Sequence, residues 1–439
     1  MTLEQEEPLT LYVWGNNVSS ELGISDEQVF ENISYYKKSC MLRTLRQKSF
    51  QRETVLQVAC GNIGSTFVVV EPATGEQTIV VSGATTVAKD ETCTKTFFDQ
   101  REFADKIDQI PSLPFGLNFR QPVAKVISGD LFAGLLTTQG EVYTWGLNMF
   151  GQLGLKNSTI GVTFDPMKVN FATQSERIID IVCGFNHCIA LNENKQVYVW
   201  GKRMGMYPQF EFSYHGIQKE INTLLNEYNH DTPRLMKGNL IFYKIAKIRA
   251  GQSNSGLITE DGNLLLHGQN DTGQLGIGEE LGKELPFFGD FMKMDFFSSK
   301  GLKILDISFG SHHTLVLCKD MKTQANRVFG CGQTEFGQLC KISNMHQHDY
   351  IELTGKFPQP VEQISAGSLH SLFVTRDKKL YACGNNNEGQ LGFKSTAKVI
   401  GNPTEVKFAN PQDKLSVELV QAFGGSLYSM ALCRTADTV

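Results

Sequence analysis

One pattern, an apolar or aromatic strand ending in Gly, four further residues and then Gly-Gln-Leu-Gly, recurs along this chain. Such self-similarity constrains the fold more than any other feature of a sequence. It reads YTWGLNMFGQLGL at 143–155, LLHGQNDTGQLGI at 265–277, FGCGQTEFGQLCK at 329–341 and YACGNNNEGQLGF at 381–393, with a weaker copy, YVWGNNVSSELGI, at 12–24. Two more copies keep only the strand and its Gly, ending at Gly83 and Gly201. The repeat glycines are therefore Gly15, Gly83, Gly146, Gly201, Gly268, Gly332 and Gly384. A second tract alternates with the first: a β-branched run, a Gly, two residues, often His, then another apolar strand. IIDIVCGFNHCIAL at 178–191, ILDISFGSHHTLVL at 304–317 and VEQISAGSLHSLFV at 361–374 are clear copies, and weaker ones centre on Gly61, Gly129, Gly251 and Gly425.

The spacing between the two tracts implies a hairpin. From the second-tract Gly to the next repeat Gly is 17 residues in four cases and 22 in two. A fixed separation that holds apolar strand, polar tip and apolar strand sets a register. Gln139-Gly140-Glu141, Asp261-Gly262-Asn263 and Asp377-Lys378-Lys379 supply turn-compatible tips. Gly-Gln-Leu-Gly reads as a tight strand-end turn, with glycines at positive φ and the Leu in the core. Short antiparallel strands at regular intervals point to radial β repetition.

The alternating tracts resemble the repeats of the regulator of chromosome condensation family, over about residues 9–434. The resemblance implies an all-β fold, a seven-bladed β-propeller of four-stranded blades. The chain opens on an unpartnered first tract (11–24) and ends on an unpartnered second tract (415–432). The last blade is thus expected to close by pairing of the N- and C-terminal segments, which leaves no exposed sheet edge. Residues 1–8 read as an acidic N-terminal tail and 435–439 as a C-terminal tail.

Composition narrows the function classes. A net charge of −5 over 439 residues argues against a nucleic-acid binder and against a membrane-surface protein. No apolar run reaches the ~18 residues of a membrane span. The start of the chain has neither a basic signal region nor an Arg-rich transit pattern, so a cytoplasmic placement is expected, with ciliary, cytoskeletal or nuclear alternatives. The ten cysteines form no Cys-x-x-Cys pair and read as small buried hydrophobes. No nucleophile elbow, phosphate-binding loop or zinc-protease motif is present. His187, His313 and His370 stand at equivalent places of different blades; each is expected to bond backbone in its own blade and not to bind metal. His346 and His348 lack a third ligand nearby. No cofactor is expected.

Four stretches depart from the minimal repeat: 25–54, 88–122, 202–242 and 279–301. The first reads as a helix capped by Ser25 with Val29, Ile33 and Tyr36 on one face, followed by Lys37, Lys38, Arg43, Arg46, Lys48 and Arg52, either a solvated face or a partner-binding patch. The second is irregular. The third holds a helical pattern near 216–228. The fourth is rich in Phe, and Phe287, Phe288 and Phe291 are either a contact patch or tucked against the body.

Two functions follow from the resemblance. One is a non-catalytic interaction scaffold, a rigid ring that binds other proteins through its loops, as a subunit of a larger assembly. The other is guanine-nucleotide exchange on a Ran-like small GTPase, as in the founding member. That member has a basic tail where this chain is acidic, and its wedge follows a Trp-Gly-x-Phe-Arg-Asp-like tract, which neither Trp145-Gly146 nor Trp200-Gly201 matches. The family's light-sensing mode uses clustered tryptophans; here Trp14, Trp145 and Trp200 all sit in repeat tracts.

Overall fold

The computed structural model describes residues 9–16, 33–38, 54–62, 64–70, 77–83, 115–117, 119, 121–148, 150–156, 161–171, 176–202, 230–280, 287–393, 395–408 and 415–437. The chain begins with β1 (Leu9–Gly15) and β2 (Ile33–Lys38). Blade 1 follows with β3 (Thr54–Cys60), β4 (Gly64–Val70), β5 (Gln77–Gly83) and β6 (Phe115–Leu117). Blade 2 holds β7 (Val123–Ser128), β8 (Phe132–Thr137), β9 (Val142–Leu147) and β10 (Val162–Lys168). Blade 3 holds β11 (Ile178–Cys183), β12 (His187–Asn192), β13 (Val197–Gly201) and β14 (His230–Leu235). Blade 4 is β15 (Ile245–Ala250), β16 (Asn254–Thr259), β17 (Leu264–Gln269) and β18 (Phe287–Lys293), followed by a short helix α1 (Asp295–Ser299). Blade 5 is β19 (Leu302–Phe309), β20 (His313–Asp320), β21 (Asn326–Gly332) and β22 (Gln347–Glu352). Blade 6 is β23 (Val361–Ala366), β24 (His370–Thr375), β25 (Leu380–Asn385) and β26 (Val399–Val406). Blade 7 takes β27 (Leu415–Gly424) and β28 (Tyr428–Asp437) from the end of the chain and β1 and β2 from its start. The fold is a seven-bladed propeller closed by its two termini, in register from Leu9 opposite Arg434 to Gly15 opposite Tyr428. The last strand runs to Asp437, into the stretch expected to be a tail.

Each departure from the minimal repeat contributes its blade's outermost strand: β2, β6, β14 and β18 fall within 25–54, 88–122, 202–242 and 279–301. Ile33 and Tyr36, expected on a helix face, lie in β2, paired to β1. The missing edge of blade 7 offers that segment a ladder partner, and tertiary pairing outweighs its helical spacing. The helix expected near 216–228 lies outside the described residues.

The strands bury most of their second and third members, and the core sits in the wedges between blades. One apolar cluster joins blades 2 and 3 through Phe132, Leu153, Ile181 and Trp200, and another joins blades 6, 7 and 1 through Leu391, Trp14, Met430 and Phe67. The Gly-Gln-Leu-Gly turns behave as expected: Leu153, Leu275, Leu339 and Leu391 are fully buried. Six repeat glycines have φ between +98° and +121°. A Cβ on Gly201 would lie 2.5 Å from Asn186 O, so no larger residue fits.

Candidate partner interface

Antiparallel pairing brings the second-tract glycine turn of each blade, Gly-x-x-His in blades 3, 5 and 6, and the end of its third strand to the same rim, as in His187 opposite Gly201. The connections from third to fourth strand, including those between Gly83 and Phe115 and between Gly201 and His230, leave from this glycine rim. The hairpin tips and the linkers to the next blade lie at the opposite rim.

Around the axis, the second-tract glycines allow the blades to meet. A Cβ on Gly61 would stand 2.3 Å from Gly129 O, one on Gly184 2.2 Å from Gly251 O, and one on Gly367 2.5 Å from Gly425 O. The residues after them donate backbone N–H bonds to the neighbouring blade: Asn62 to Gly129 O (3.2 Å), Asp130 to Phe185 O (3.0 Å) and Ser368 to Gly425 O (3.2 Å). They enclose an axial cavity of about 200 Å³. At its wall Asn62 Nδ2 donates to Asp130 Oδ1 at 2.7 Å, and burial raises the Asp130 carboxyl above the ordinary range. Further along, every innermost strand carries a register shift at the same place, for instance Ile178/Asp180 and Ile304/Asp306. The shift turns polar side chains toward the neighbouring blade. Lys125 meets Asp180 at 2.6 Å, and Arg249 grips Asp306 with bonds of 2.8 and 3.1 Å.

The histidines correct the expectation from sequence. They bond side chains of the next blade, not backbone of their own: His187 Nε2 to Ser255 Oγ at 3.0 Å, His313 to Ser371 at 2.9 Å and His370 to Ser429 at 2.8 Å. Ser371 and Ser429 in turn donate to the carbonyls of Gln338 and Gln390 in the Gly-Gln-Leu turns. A serine that gives its proton to a carbonyl receives one from Nε2–H, which sets the tautomer of His313 and His370. Burial lowers all three histidines to about 3, so they are neutral. In blade 7 Tyr428 takes the histidine position, with its Oη 2.9 Å from Ser65 Oγ of blade 1. Trp14 and Trp200 donate Nε1–H to Gln390 O (2.8 Å) and Gln152 O (3.0 Å). These polar groups hold blade to blade. Burial also raises the thiols of Cys60 and Cys183 to about 12. No group of three His, Cys, Asp or Glu able to hold a metal occurs among the described residues.

The sequence-derived contact residues that are described fall in two separate blades. Lys37 and Lys38 end β2, opposite Val13 and Tyr12; their side chains, and Arg43, Arg46, Lys48 and Arg52, lie outside the described residues. Phe287 and Phe288 open β18 opposite Gln269 and Gly268, and their side chains lie outside the described residues as well. Phe291 is 2% exposed, its ring 5.2 Å from that of His267. It belongs to the core between blades 3 and 4 and presents no contact surface, because the strand's alternation turns it inward. The four most exposed large apolar residues among those described, all missed from sequence, are Ile342 and Met345 on the glycine rim, and Ile241 and Phe242 on the other. They sit in short connections without periodicity, so no pattern marked them.

Models of the regulator of chromosome condensation (RCC1) repeat match residues 139–191, 261–317, 377–432 and, in a second form, 361–390. Each of the three longer matches runs from the third strand of one blade to the second strand of the next, from blade 2 to 3, from 4 to 5 and from 6 to 7. The chain is an RCC1-repeat propeller. It is 27% identical over 296 residues to the ultraviolet-B receptor UVR8 of Arabidopsis thaliana, covering 67% of this chain and 59% of the receptor. It is 27% identical over 316 residues to the human E3 ubiquitin-protein ligase HERC2, covering 72% of this chain and 6% of the ligase. The chain thus spans less than two thirds of either relative. Among solved structures, Prp20p of Saccharomyces cerevisiae superposes with a TM-score of 0.71 at 17% identity, over 98% of this chain and 92% of that one. No helix among the described residues is long and apolar enough to cross a membrane.

Proposed function

We propose that this RCC1-repeat propeller is a non-catalytic scaffold that binds other proteins through the connections of its rims, as one subunit of a larger assembly. The observation that carries this reading is the division of labour in the ring. Buried His187, His313 and His370, the serines they meet and the indoles of Trp14 and Trp200 are engaged in joining blades, while the long connections between Gly83 and Phe115 and between Gly201 and His230 depart from one rim. A rigid body that gathers variable loops at one end is a binding architecture. A sequence match to 6% of a much larger ligase supports a module that works beside other parts. Lys37, Lys38, Arg43, Arg46, Lys48 and Arg52 remain proposed contacts for an acidic partner.

The second reading is exchange on a Ran-like GTPase. It is favoured by the likeness to Prp20p, which was characterised for binding Gsp1p and histones. A tagged pull-down from native lysate, once with EDTA to strip nucleotide and once with excess GTP, separates the two. The scaffold predicts protein partners retained equally under both conditions. A small GTPase held only in EDTA and released by GTP would replace it with the exchange-factor reading.

A further inference from the structure

Among the described residues the linkers from outer strand to next blade follow a packing rule with one exception. In five of them an aromatic ring lies against an aromatic three residues before the next repeat glycine: Phe119 on Tyr143 (4.8 Å), Phe171 on Tyr198 (5.2 Å), Phe297 on Phe329 (5.7 Å), Phe357 on Tyr381 (6.1 Å) and Phe408 on Tyr12 (5.4 Å). Entering blade 4, the corresponding residue is Leu265, and Leu240 of the linker takes up the contact, both inside one apolar cluster. Leu240 belongs to a single 3₁₀ turn, Gly238–Phe242, and is 7% exposed. The two residues after it project outward, Ile241 73% and Phe242 80% exposed. The turn is therefore fixed by Leu240 while its apolar tip faces solvent, which lowers the entropy cost of binding.

The surroundings of the tip are cationic. From Arg234 to Lys244 there are three basic residues, Arg234, Lys237 and Lys244, and no Asp or Glu. All three are exposed, and none makes an ion pair among the described residues. Two acids of the hairpin tip of blade 4 are engaged, Glu260 with Lys195 and Asp261 with Thr259 and Asn263.

We propose that Ile241 and Phe242, collared by Lys237 and Lys244, are a docking knob for a protein partner whose surface is acidic around an apolar slot. A projecting aromatic supplies the apolar anchor of a binding hot spot, and the cations at its rim select a partner of complementary charge. A second copy of this chain is disfavoured as the occupant, because an isologous contact would oppose like charges. An anionic lipid surface is disfavoured by the −5 net charge of the whole chain. The inference rests on the scaffold reading and names the chemistry of one of its partners.

The test uses the whole chain and a fluorescent amphipathic peptide with Leu at helical spacing and Glu between, beside the same peptide with Gln for Glu. The Glu peptide is expected to bind at least about tenfold more tightly than the Gln peptide. Phe242→Ser is expected to lose at least about tenfold in affinity, and Lys237→Gln with Lys244→Gln to remove the preference for Glu, all with unchanged melting temperature. Equal binding of both peptides, no binding, or binding indifferent to Phe242→Ser overturns the proposal. So does Phe242-dependent capture on equimolar phosphatidylcholine–phosphatidylserine vesicles, or a Phe242-dependent dimer in sedimentation. Lysate partners that survive Phe242→Ser sink the knob and leave the scaffold standing, whereas a chain with no protein partner sinks the scaffold itself.

Discussion

His187, His313 and His370 are neutral in the ring, each donating or accepting at a serine of the next blade. Because burial lowers their pKa from 6.5 to about 3, the unfolded chain takes up protons before the folded one does. Stability from these groups is therefore complete above about pH 6.5 and is lost as pH falls toward 3. At pH 5 each costs about 2 kcal/mol relative to neutral pH, since every tenfold difference in proton affinity between the unfolded and folded chain is ~1.4 kcal/mol. The protein is expected to show a large fall in urea midpoint between pH 7.5 and pH 5. Asn254 holds the same position in blade 4, its Nδ2 donating to Gln269 O, so His313→Asn is a substitution the architecture already uses. That variant is expected to lose roughly a third of the pH dependence carried by the three histidines. An identical slope in variant and parent would show that His313 is not among the groups that set it. The sequence displayed these histidines plainly but not their partners, since a Ser in the next repeat is paired by the ring's closure and by nothing in local spacing.

Between elements, the best-read feature was the hairpin of second and third strands, because both strands are buried and their separation is fixed. The fourth strands were missed. HDTPRL in β14, QHDYIE in β22 and VIGNPTEV in β26 are outer strands, polar and partly exposed, and follow connections of variable length. With one face in solvent and no tight turn before them, they carry neither periodicity nor punctuation. The packing of turn on strand was equally hidden, yet it explains the irregular turn at Cys340. A Cβ on Gly154 would lie 2.9 Å from Trp200 Nε1, and one on Gly392 2.9 Å from Trp14 Nε1. At the junction of blades 5 and 6 both partners change: the turn has Cys340, at φ +56°, and the strand has Cys383, their sulfurs 3.5 Å apart. The larger turn residue is accommodated because the Trp is gone. Cys383→Trp alone is expected to overpack the junction and to cost about 1–3 kcal/mol. Paired with Cys340→Gly it restores the Gly–Trp contact, and the indole can then donate to Gln338 O. A double-mutant cycle in urea should give a coupling of about 1 kcal/mol or more in favour of the pair. Additive costs would mean that the two sites do not share one volume.

At the scale of the molecule the ring depends on its first strand. The order of tracts along the chain made closure legible, since an unpaired half-repeat at each end has no other place to go. What the order could not show is how much is at stake. β1 is the third strand of blade 7, laddered to β28 from Leu9 to Gly15. Leu11, Val13 and Trp14 are each 1% exposed or less and sit in the cluster that joins blades 6, 7 and 1. At about 2 kcal/mol or more for each such side chain, their loss alone approaches the whole stability of an ordinary domain, ~5–15 kcal/mol. Removing residues 1–24 also uncovers β28 as a long apolar edge, the usual starting point of aggregation. The truncated chain is expected to elute as aggregate, or as an expanded monomer that binds a hydrophobic dye and melts without a cooperative transition. Supplying residues 1–24 as a separate peptide should restore part of the transition, because the missing strand re-enters an existing groove. A truncated chain that is monomeric and unfolds with the parent's midpoint and slope would show that six blades hold without the seventh being sealed, and the closure by paired termini would lose its energetic role.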